Sequence, residues 1–452
     1  MLKGKTVAPL TLGCKVNQYE TDGMIELLKE AGMTAVSFEE KADVYLINTC
    51  SVTNMADKKS RQMIHRAKKL NPDAVVIAAG CYVQAAKDKL MEDDRMSIII
   101  GNNKKKDIVQ ILEDYLEIGV TDEGMLDIAA EKEYEPLTIN STLEHTRAYV
   151  KIQDGCNQFC SYCIIPYVRG RIRSRELASI TEEVERLAQT GVKEIVLTGI
   201  HISSYGLDFE HTADEQEDYG PFKNSALIDL IEALSGIEGL ERIRLGSLEP
   251  RIITENFVRR LCKVPQICPH FHLSLQSGCD ETLKRMNRHY TTALYLEKCG
   301  ILRQYFDRPA LTTDVIVGFP GETEEEFART EEFLAKVHFS DMHIFKYSKR
   351  HGTKAADMPD QINPQIQTER SEKLITLGEK MKNDFIEACK DQEQIVLIEE
   401  EAEINGTKYM TGHSKNYIRC AFESDGLVPN MVIKGTINSK LNEEFVFCKR
   451  ID

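Results

Sequence analysis

The sequence predicts an α/β protein in three parts: an N-terminal parallel-sheet α/β domain, a central partial (β/α)6 barrel, and a small antiparallel β-barrel at the C-terminus. Three observations carry this. Short apolar runs alternate with amphipathic segments over the first ~115 residues, a spacing that calls for parallel strands joined by crossover helices. The alternation resumes between Ala148 and Tyr347 with six strand-like runs. After Lys390 helical periodicity gives way to short strands separated by turn signals, the pattern of a small closed β module. At 452 residues the chain exceeds what one core usually supports, and the division expected is 2–115, a linker over 116–141, 142–375 and 376–452.

In the first domain, "TVAPLTLGC", "DVYLINTC" and "AVVIAAGC" are apolar runs that close on Cys14, Cys50 and Cys81. Helical periodicity follows over Asp22 to Gly32 and Ala56 to Leu70, and a further run, Ile98 to Ile100, precedes "GNNKKK". Each cysteine therefore stands just past the C-terminal end of a strand, the edge where open α/β sheets hold ligands. Three thiols are expected on one rim.

The barrel strands are expected at Ala148 to Gln153, Glu194 to Thr198, Arg242 to Gly246, Phe271 to Leu275, Thr312 to Val317 and Met342 to Tyr347. "TEEVERLAQTG", "SALIDLIEALSG" and "TEEEFARTEEFLAKV" are among the helices between them. Six β/α units make most of a barrel but not the eight of a closed one. A helix is expected over Asn363 to Lys390, followed by strands in "QIVLIEE", "YMTGHSKNYIRCAF", "MVIKGTINSKL" and "EEFVFCKR".

Apolar content of 42% and charged content of 29% are globular values, and no apolar run reaches the ~18 residues needed to cross a bilayer. "MLKGKTVAPLTLGC" lacks the apolar core of an export signal, so a cytoplasmic location and no membrane partner are expected. Thirteen cysteines in a reducing compartment point to metal or redox chemistry rather than disulfides. The net charge of −15 excludes nucleic-acid attraction by the whole surface, but not by local patches.

Directly after the first barrel strand lies "CNQFCSYC", with Cys156, Cys160 and Cys163 spaced C-x3-C-x2-C. Soft thiolates at short spacing suit zinc or an iron–sulfur cluster. Structural zinc takes four ligands, and no second C-x2-C pair exists to supply the fourth, although His145 or His201 could. A cubane also normally takes four thiolates, so three in reach leave one iron open, as befits a catalytic site. "RGRIRSRE" follows, and in an extended segment Arg169, Arg171, Arg173 and Arg175 would share one face, where they could bind a carboxylate in bidentate fashion. Lys58, Lys59, Arg61, His65 and Arg66, then Lys104 to Lys106, and Lys284, Arg285 and Arg288 add local positive charge, with a solvated surface as the bland alternative. Lys415, Tyr417 and Arg419 in the last module fit an RNA surface that contacts phosphate and stacks bases. The remaining seven cysteines show no ligand spacing.

The C-x3-C-x2-C motif with an aromatic residue, Tyr162, before its last cysteine resembles the hallmark of the radical S-adenosylmethionine superfamily. The resemblance implies that Cys156, Cys160 and Cys163 hold a [4Fe–4S] cluster whose open iron is chelated by S-adenosylmethionine. "TLGCKVNQYET", "INTCSVTNMADKKSRQ" and "AAGCYVQ" are similar to the three cysteine motifs of the methylthiotransferase family. That implies a second, auxiliary [4Fe–4S] cluster on Cys14, Cys50 and Cys81, also with an open iron. "LTGIHISSYG", "RLGSLEP", "LSLQSG" and "TDVIVGFPGETEEEF" extend the resemblance through the barrel, and the terminal module resembles the RNA-binding TRAM domain. Gly199, in a turn where a Cβ would hinder a bound nucleoside, and Glu249, Gln276 and Asp314, which close later strands, are then expected at the cofactor with Tyr162. His201 and Tyr205 could approach it.

"GCKVN" is similar to the branch that acts on N6-threonylcarbamoyladenosine at position 37, in the anticodon loop of tRNA; the isopentenyladenosine branch usually reads Gln-Met where this chain has Lys15-Val16. The implied activity is radical insertion of sulfur at C2, coupled to methyl transfer. It would need an electron donor such as flavodoxin or ferredoxin and a sulfur source that the sequence does not identify. The alternatives are the same chemistry on isopentenyladenosine or a ribosomal protein, and a non-catalytic RNA-binding protein with structural zinc.

Overall fold

Val44–Thr49 carries no charge and no proline, and every one of its residues is buried. Such a strand suits the centre of a parallel sheet covered on both faces. In the computed structural model, which describes residues 1–86, 95–119, 125–140, 146–209, 222, 225–424 and 426–451, it is β3. With β1 (Thr6–Thr11), β2 (Thr34–Ala35), β4 (Val75–Gly80) and β5 (Ile98–Ile100) it forms a parallel sheet in the order β2-β1-β3-β4-β5. One apolar cluster lies on each face, the first around Tyr45, Ile47 and Ile64, the second around Met24, Leu46 and Ile108. Helix α1 (Lys15–Glu30) begins at Lys15 rather than Asp22. Its first turns were hidden from a hydrophobic pattern because they bury polar side chains, Asn17 and Glu20, as completely as Val16 and Tyr19. Helix α2 (Asn54–Leu70) is capped by Thr53, whose hydroxyl accepts from the Ala56 amide, and the short α3 (Cys81–Ala85) follows β4 directly.

The second domain is an arc of six parallel strands: β6 (Arg147–Asp154), β8 (Glu194–Gly199), β9 (Arg242–Leu245), β10 (His270–His272), β11 (Ala310–Val317) and β12 (Asp341–Lys346). Bridges at Ile243–Ile267 and Leu248–Leu273 carry the curvature from β9 to β10, and the two-residue β7 (Arg173–Ser174) pairs antiparallel on β6. Among the described residues β12 and β6 do not pair, so the barrel is partial. Along each strand one face is apolar and packs on the helices, for example Ala148, Val150 and Ile152. The alternate positions are polar: Arg147, Tyr149 and Lys151, then Glu194, Arg242, Arg244, His270, His272, Thr312 and Asp314. By the strand's period of two, these line the concave side.

Residues 125–140, expected as linker, have no helix or strand but are tightly packed. Leu137 and Ile139 are buried in the barrel core, Tyr19 Oη donates to the Leu137 carbonyl at 2.6 Å, and Tyr134 Oη donates to the Lys151 carbonyl at 2.9 Å. The helix Pro364–Ala388 runs through the expected 375/376 boundary; it buries Leu374 and Met381 in the barrel core, and Arg370 pairs with Glu322 at 2.7 Å. The C-terminal strands β13 (Glu393–Ile404), β14 (Thr407–Ser414), β15 (Arg419–Glu423), β16 (Val432–Lys440) and β17 (Val446–Ile451) close a barrel in the order β13-β14-β15-β17-β16. All pairs are antiparallel except β15–β17.

This small barrel docks through two arginines of β9. Arg242 donates to the carbonyls of His413 (2.9 Å) and Ile395 (2.8 Å), and Arg244 to that of Lys415 (3.0 Å). Both guanidiniums also meet the buried Glu194, at 3.4 and 2.8 Å. Burial raises the Glu194 pKa, but Arg244 outweighs it and leaves the carboxyl at about 2, against 4.5 ordinarily. A carboxylate with a depressed folded pKa stabilises fully above its unfolded value and loses that contribution as pH falls through the folded one. Glu194→Ala is expected to lower stability by about 3–5 kcal/mol at neutral pH, the range for stranding buried charge. The gap between wild type and variant should shrink as pH falls from about 4.5 toward about 2, as read by urea midpoints at several pH values.

Candidate active site at two thiol trios

β1, β3 and β4 are neighbours in register, so their C-terminal ends lie side by side. Cys14, Cys50 and Cys81 follow those ends and come together as expected. Gly13 adopts φ 104°, and a Cβ there would stand 2.7 Å from Cys50 Sγ. Gly80, at φ 95°, would clash with Asn48 Oδ1 at 2.4 Å. Both are glycine because a side chain would fill the thiol cradle or block the strand end. Asn17 ties the rim together: its Nδ2 donates to the carbonyls of Leu12 (2.7 Å) and Thr49 (3.0 Å). Burial pushes the Cys50 thiol up to about 11 and raises that of Cys14, the nearby thiols adding to both and the Arg169 guanidinium opposing them.

The second trio sits in the loop after β6. Gly155 (φ 70°) is required there, since a Cβ would lie 1.7 Å from the Arg171 carbonyl oxygen. The Cys156 amide donates to the Gly170 carbonyl at 3.1 Å and that of Cys163 to Cys160 at 2.9 Å. Arg288 donates to Cys160 Sγ at 3.4 Å, and the Gln158 amide meets Cys156 Sγ at 3.5 Å. Burial again raises the Cys156 thiol, to about 11, and that of Cys163.

Arg169 joins the two trios. It follows the second motif by six residues, yet its Nε donates to Cys81 Sγ at 3.3 Å. Its other nitrogens donate to Glu20 (2.8 and 3.1 Å), Asp154 (3.1 Å) and Asn17 Oδ1 (2.7 Å). Lys105 reaches Glu20 at 2.5 Å, and Lys151 reaches Glu20 at 2.7 Å and Asp154 at 2.6 Å. All of these side chains are buried. The cations hold the Glu20 and Asp154 carboxyls well below the usual range despite the burial that opposes them.

Several sequence readings are corrected here. The arginines of "RGRIRSRE" do not share a face: Arg169, Arg173 and Arg175 are buried, Arg175 against Glu183, while Arg171 stacks over Phe159 at 4.6 Å. Only Arg173 and Ser174 of this segment form a strand, so strand alternation does not apply. Lys105, Arg285 and Arg288 are likewise not solvated patches; Lys105 pairs with Glu20, Arg285 with Glu326, and Arg288 donates to the Cys160 thiol. Glu20, Asp154, Lys151 and Asn102, whose Nδ2 lies 3.8 Å from Cys81 Sγ, were missed, because a polar residue inside an apolar pattern reads as surface until its partner is known.

The other expected site residues are placed as follows. Tyr162 packs edge-on to Phe319 in a small cluster with Met286 and Tyr347. A Cβ on Gly199 would meet the Gln153 carbonyl oxygen at 2.9 Å, so the protein itself requires glycine there. Glu249 pairs with Arg251 at 2.6 Å, which reaches Gln158 in the thiol loop at 3.4 Å. Gln276 (φ 72°) donates its amide to the Asp314 carbonyl at 2.9 Å, and the Asp314 carboxylate lies 3.3 Å from His272 Nε2. His201 bonds Ser204 Oγ at 2.6 Å, and burial with Arg288 and Arg251 nearby drops it to about 3, a neutral imidazole. His145 lies outside the described residues. Lys415 donates to the Pro265 carbonyl at 2.9 Å, Tyr417 is stacked between His270 and His413 at 4.6 and 4.5 Å, and Arg419 pairs with Glu444 at 2.8 Å.

The donor chemistry fits iron–sulfur clusters at both trios. A single tetrahedral ion would draw thiolates to about 3.8 Å from one another, given metal–sulfur bonds of roughly 2.3 Å. Among the described residues the group of three ligand atoms that closes within 4.8 Å is His272, Asp314 and His343, and neither thiol trio does so. The wider spacing and the cationic surroundings suit an anionic thiolate-bound cluster.

Residues 6–101 match the uncharacterized protein family UPF0004, and residues 150–334 match the radical SAM superfamily. The chain is 39% identical to a threonylcarbamoyladenosine tRNA methylthiotransferase of Bacillus subtilis over 95% of this chain and 93% of that protein. It is also 39% identical to the like-named protein of Aquifex aeolicus, over 91% and 97%. A tRNA-2-methylthio-N6-dimethylallyladenosine synthase of Methylacidiphilum infernorum is 36% identical over 90% and 87%. Among solved structures, the radical S-adenosylmethionine methyltransferase TsrM of Kitasatospora setae superimposes with a TM-score of 0.56 over 78% of this chain and 74% of that one at 14% identity, a likeness of fold.

Arg169→Gln is expected to cost about 3–5 kcal/mol in urea unfolding under reducing conditions, because it strands Glu20 and Asp154. Arg169→Lys should recover only part of this, since an ammonium cannot span a thiol and two carboxylates as the guanidinium fork does.

Proposed function

This chain belongs to the radical S-adenosylmethionine methylthiotransferase family, and we propose that it transfers a methylthio group to C2 of N6-threonylcarbamoyladenosine at position 37 of tRNA. The observation that supports the reading is that Arg169, six residues after Cys163, donates to the Cys81 sulfur and to Glu20 and Asp154. Cys156, Cys160 and Cys163 would hold one [4Fe–4S] cluster with S-adenosylmethionine, and Cys14, Cys50 and Cys81 the auxiliary one. When bound, these groups supply the electron, the hydrogen-abstracting radical and the sulfur that substitution at an unactivated carbon requires.

The chain's own residues do the rest. Arg288 and Arg169 donate hydrogen bonds to ligand sulfurs, at 3.4 Å on Cys160 and 3.3 Å on Cys81, and so favour the more negative state of each site. The neutral His201 adds no further positive charge beside Arg288 and Arg251. Arg169 and Asn102 fix the spacing of the sites, since Asn102 Nδ2 also donates to the Val168 carbonyl at 2.7 Å. Gly13 leaves the cradle beside the Cys50 thiol unfilled, and Gly155 lets the loop of the second trio pass the Arg171 carbonyl. An electron carrier such as flavodoxin or ferredoxin would serve as reductant, and the reaction would take place in the cytoplasm; among the described residues no helix is long and apolar enough to cross a membrane.

Nucleoside analysis of tRNA from a deletion strain tests the substrate: the 2-methylthio-N6-threonylcarbamoyl nucleoside should be replaced by its unthiolated precursor. Loss of the methylthio-isopentenyl nucleoside instead would assign the chain to the sister branch. Cys50→Ala should keep reductive release of methionine from S-adenosylmethionine while abolishing thiolation, whereas Cys160→Ala should abolish both. Loss of both activities in Cys50→Ala would argue against separate sites.

A further inference from the structure

A cavity of ≈ 440 Å³ opens where the three domains meet. Its wall includes His270, His272 and Asp314 on the polar side of the barrel arc, Tyr417 of the small barrel, and Lys15, the residue after Cys14. Three lining side chains, Lys15, Lys382 and Arg419, are basic, and three, Asp314, Asp341 and Glu444, are acidic. Lys382 is paired with Asp341 at 3.2 Å and Arg419 with Glu444 at 2.8 Å. Lys15 has no hydrogen bond and no carboxylate partner among the described residues; its ammonium stands 5.9 Å from the Tyr149 ring.

Lys15 is exposed, and the guanidiniums of Arg147 and Arg244 stand near its ammonium. Glu194, the acid that favours its charge, is already held by Arg242 and Arg244. His270 stays neutral under burial and the same field, and its Nδ1 is buried without a partner. His272, Asp314 and His343 bring ligand atoms within 4.8 Å of one another, but a cation there would face Lys15 and the arginines. An ammonium without a carboxylate partner in the wall of a concave pocket is suited to an anion.

We propose that this cavity receives the N6 substituent of the target adenosine and that the Lys15 ammonium pairs with its threonyl carboxylate. This rests on the substrate reading above. C2 and C6 of adenine flank N1, so a base that presents C2 to Cys14, Cys50 and Cys81 turns its N6 substituent toward the wall beside them, where Lys15 stands. The threonylcarbamoyl group ends in a carboxylate and a hydroxyl; the dimethylallyl group of the sister substrates is uncharged. A carboxylate accepts a charge-assisted hydrogen bond from Lys15, and the Asp314–His272 pair, 3.3 Å apart, offers an acceptor and a donor to the hydroxyl. Lys15 is thereby a specificity-determining residue.

The test is binding, read by fluorescence anisotropy with full-length, anaerobically cluster-loaded protein. The probes are anticodon stem-loop RNAs bearing threonylcarbamoyladenosine, adenosine or dimethylallyladenosine at the target position. Wild type is expected to bind the threonylcarbamoyl RNA at least about tenfold more tightly than the adenosine RNA. Lys15→Gln should lose that preference with unchanged affinity for the adenosine RNA, which also reports that the variant is folded, and Lys15→Arg should keep most of it. Methyl-esterifying the threonyl carboxylate should erase the preference in wild type and change nothing in Lys15→Gln. A Lys15→Gln protein that keeps the preference overturns the inference and leaves the substrate reading standing. A wild type indifferent to the substituent also overturns it, and one that prefers dimethylallyl RNA overturns the substrate reading as well.

Discussion

The guanidinium of Arg169 is buried between two carboxylates of different domains, Glu20 and Asp154, with its Nε on the sulfur of Cys81. Burying a charge costs several kcal/mol, and the cost is recovered only where geometry and hydrogen bonding are close to complete. Here they are: Lys105 and Lys151 bind the oxygens that Arg169 does not saturate, and Asn17 accepts from its remaining nitrogen. The cluster brings two carboxylates together with Arg169, Lys105, Lys151 and, at 3.8 Å, Arg173, so positive charge is in excess. That excess faces the thiols of Cys14, Cys50 and Cys81, the last two buried, which are costly to ionise alone and would become favourable once deprotonated on a cluster. The N-terminal sheet and the barrel are thus held in one relative position by the groups that make the thiol sites electrostatically acceptable.

A second use of buried arginine fixes the C-terminal barrel. Arg242 and Arg244 reach backbone carbonyls of β13 and β14 and the segment that follows them, while Glu194 neutralises both. Tyr417 sits in the left-handed region at φ 70°, stacked on His270 and His413 and 4.7 Å from the Arg244 guanidinium. Lys415 and Tyr417, which the sequence suggests as an RNA surface, are therefore committed to the seam between barrels. The seam is also what walls the cavity around Lys15, so the small barrel helps to shape the pocket.

Much of this was legible in the chain. Strand runs that end on a cysteine foretold both the parallel sheet and the meeting of Cys14, Cys50 and Cys81, because parallel strands in register must end on the same edge. The C-x3-C-x2-C loop announced the second trio. The beginning of α1 was not legible, since Asn17 and Glu20 break its apolar period, nor was the packing of residues 125–140, which buries Leu137 and Ile139 without regular structure.

The sequence by itself determined which elements form and where the six thiols must lie, since periodicity and strand ends are local properties of a chain. Only the tertiary structure decided what the charges do. Arg169, Arg173, Arg175 and Lys105 look like surface residues in any linear reading, and each is buried against a carboxylate, a carbonyl or a thiol, while the half-buried Arg288 meets the Cys160 thiol. Lys15 is exposed and lacks such a partner among the described residues. Whether a charge is a solvated surface group, a structural tie or a ligand's counter-ion depends on what faces it across space, and that is a property of the fold.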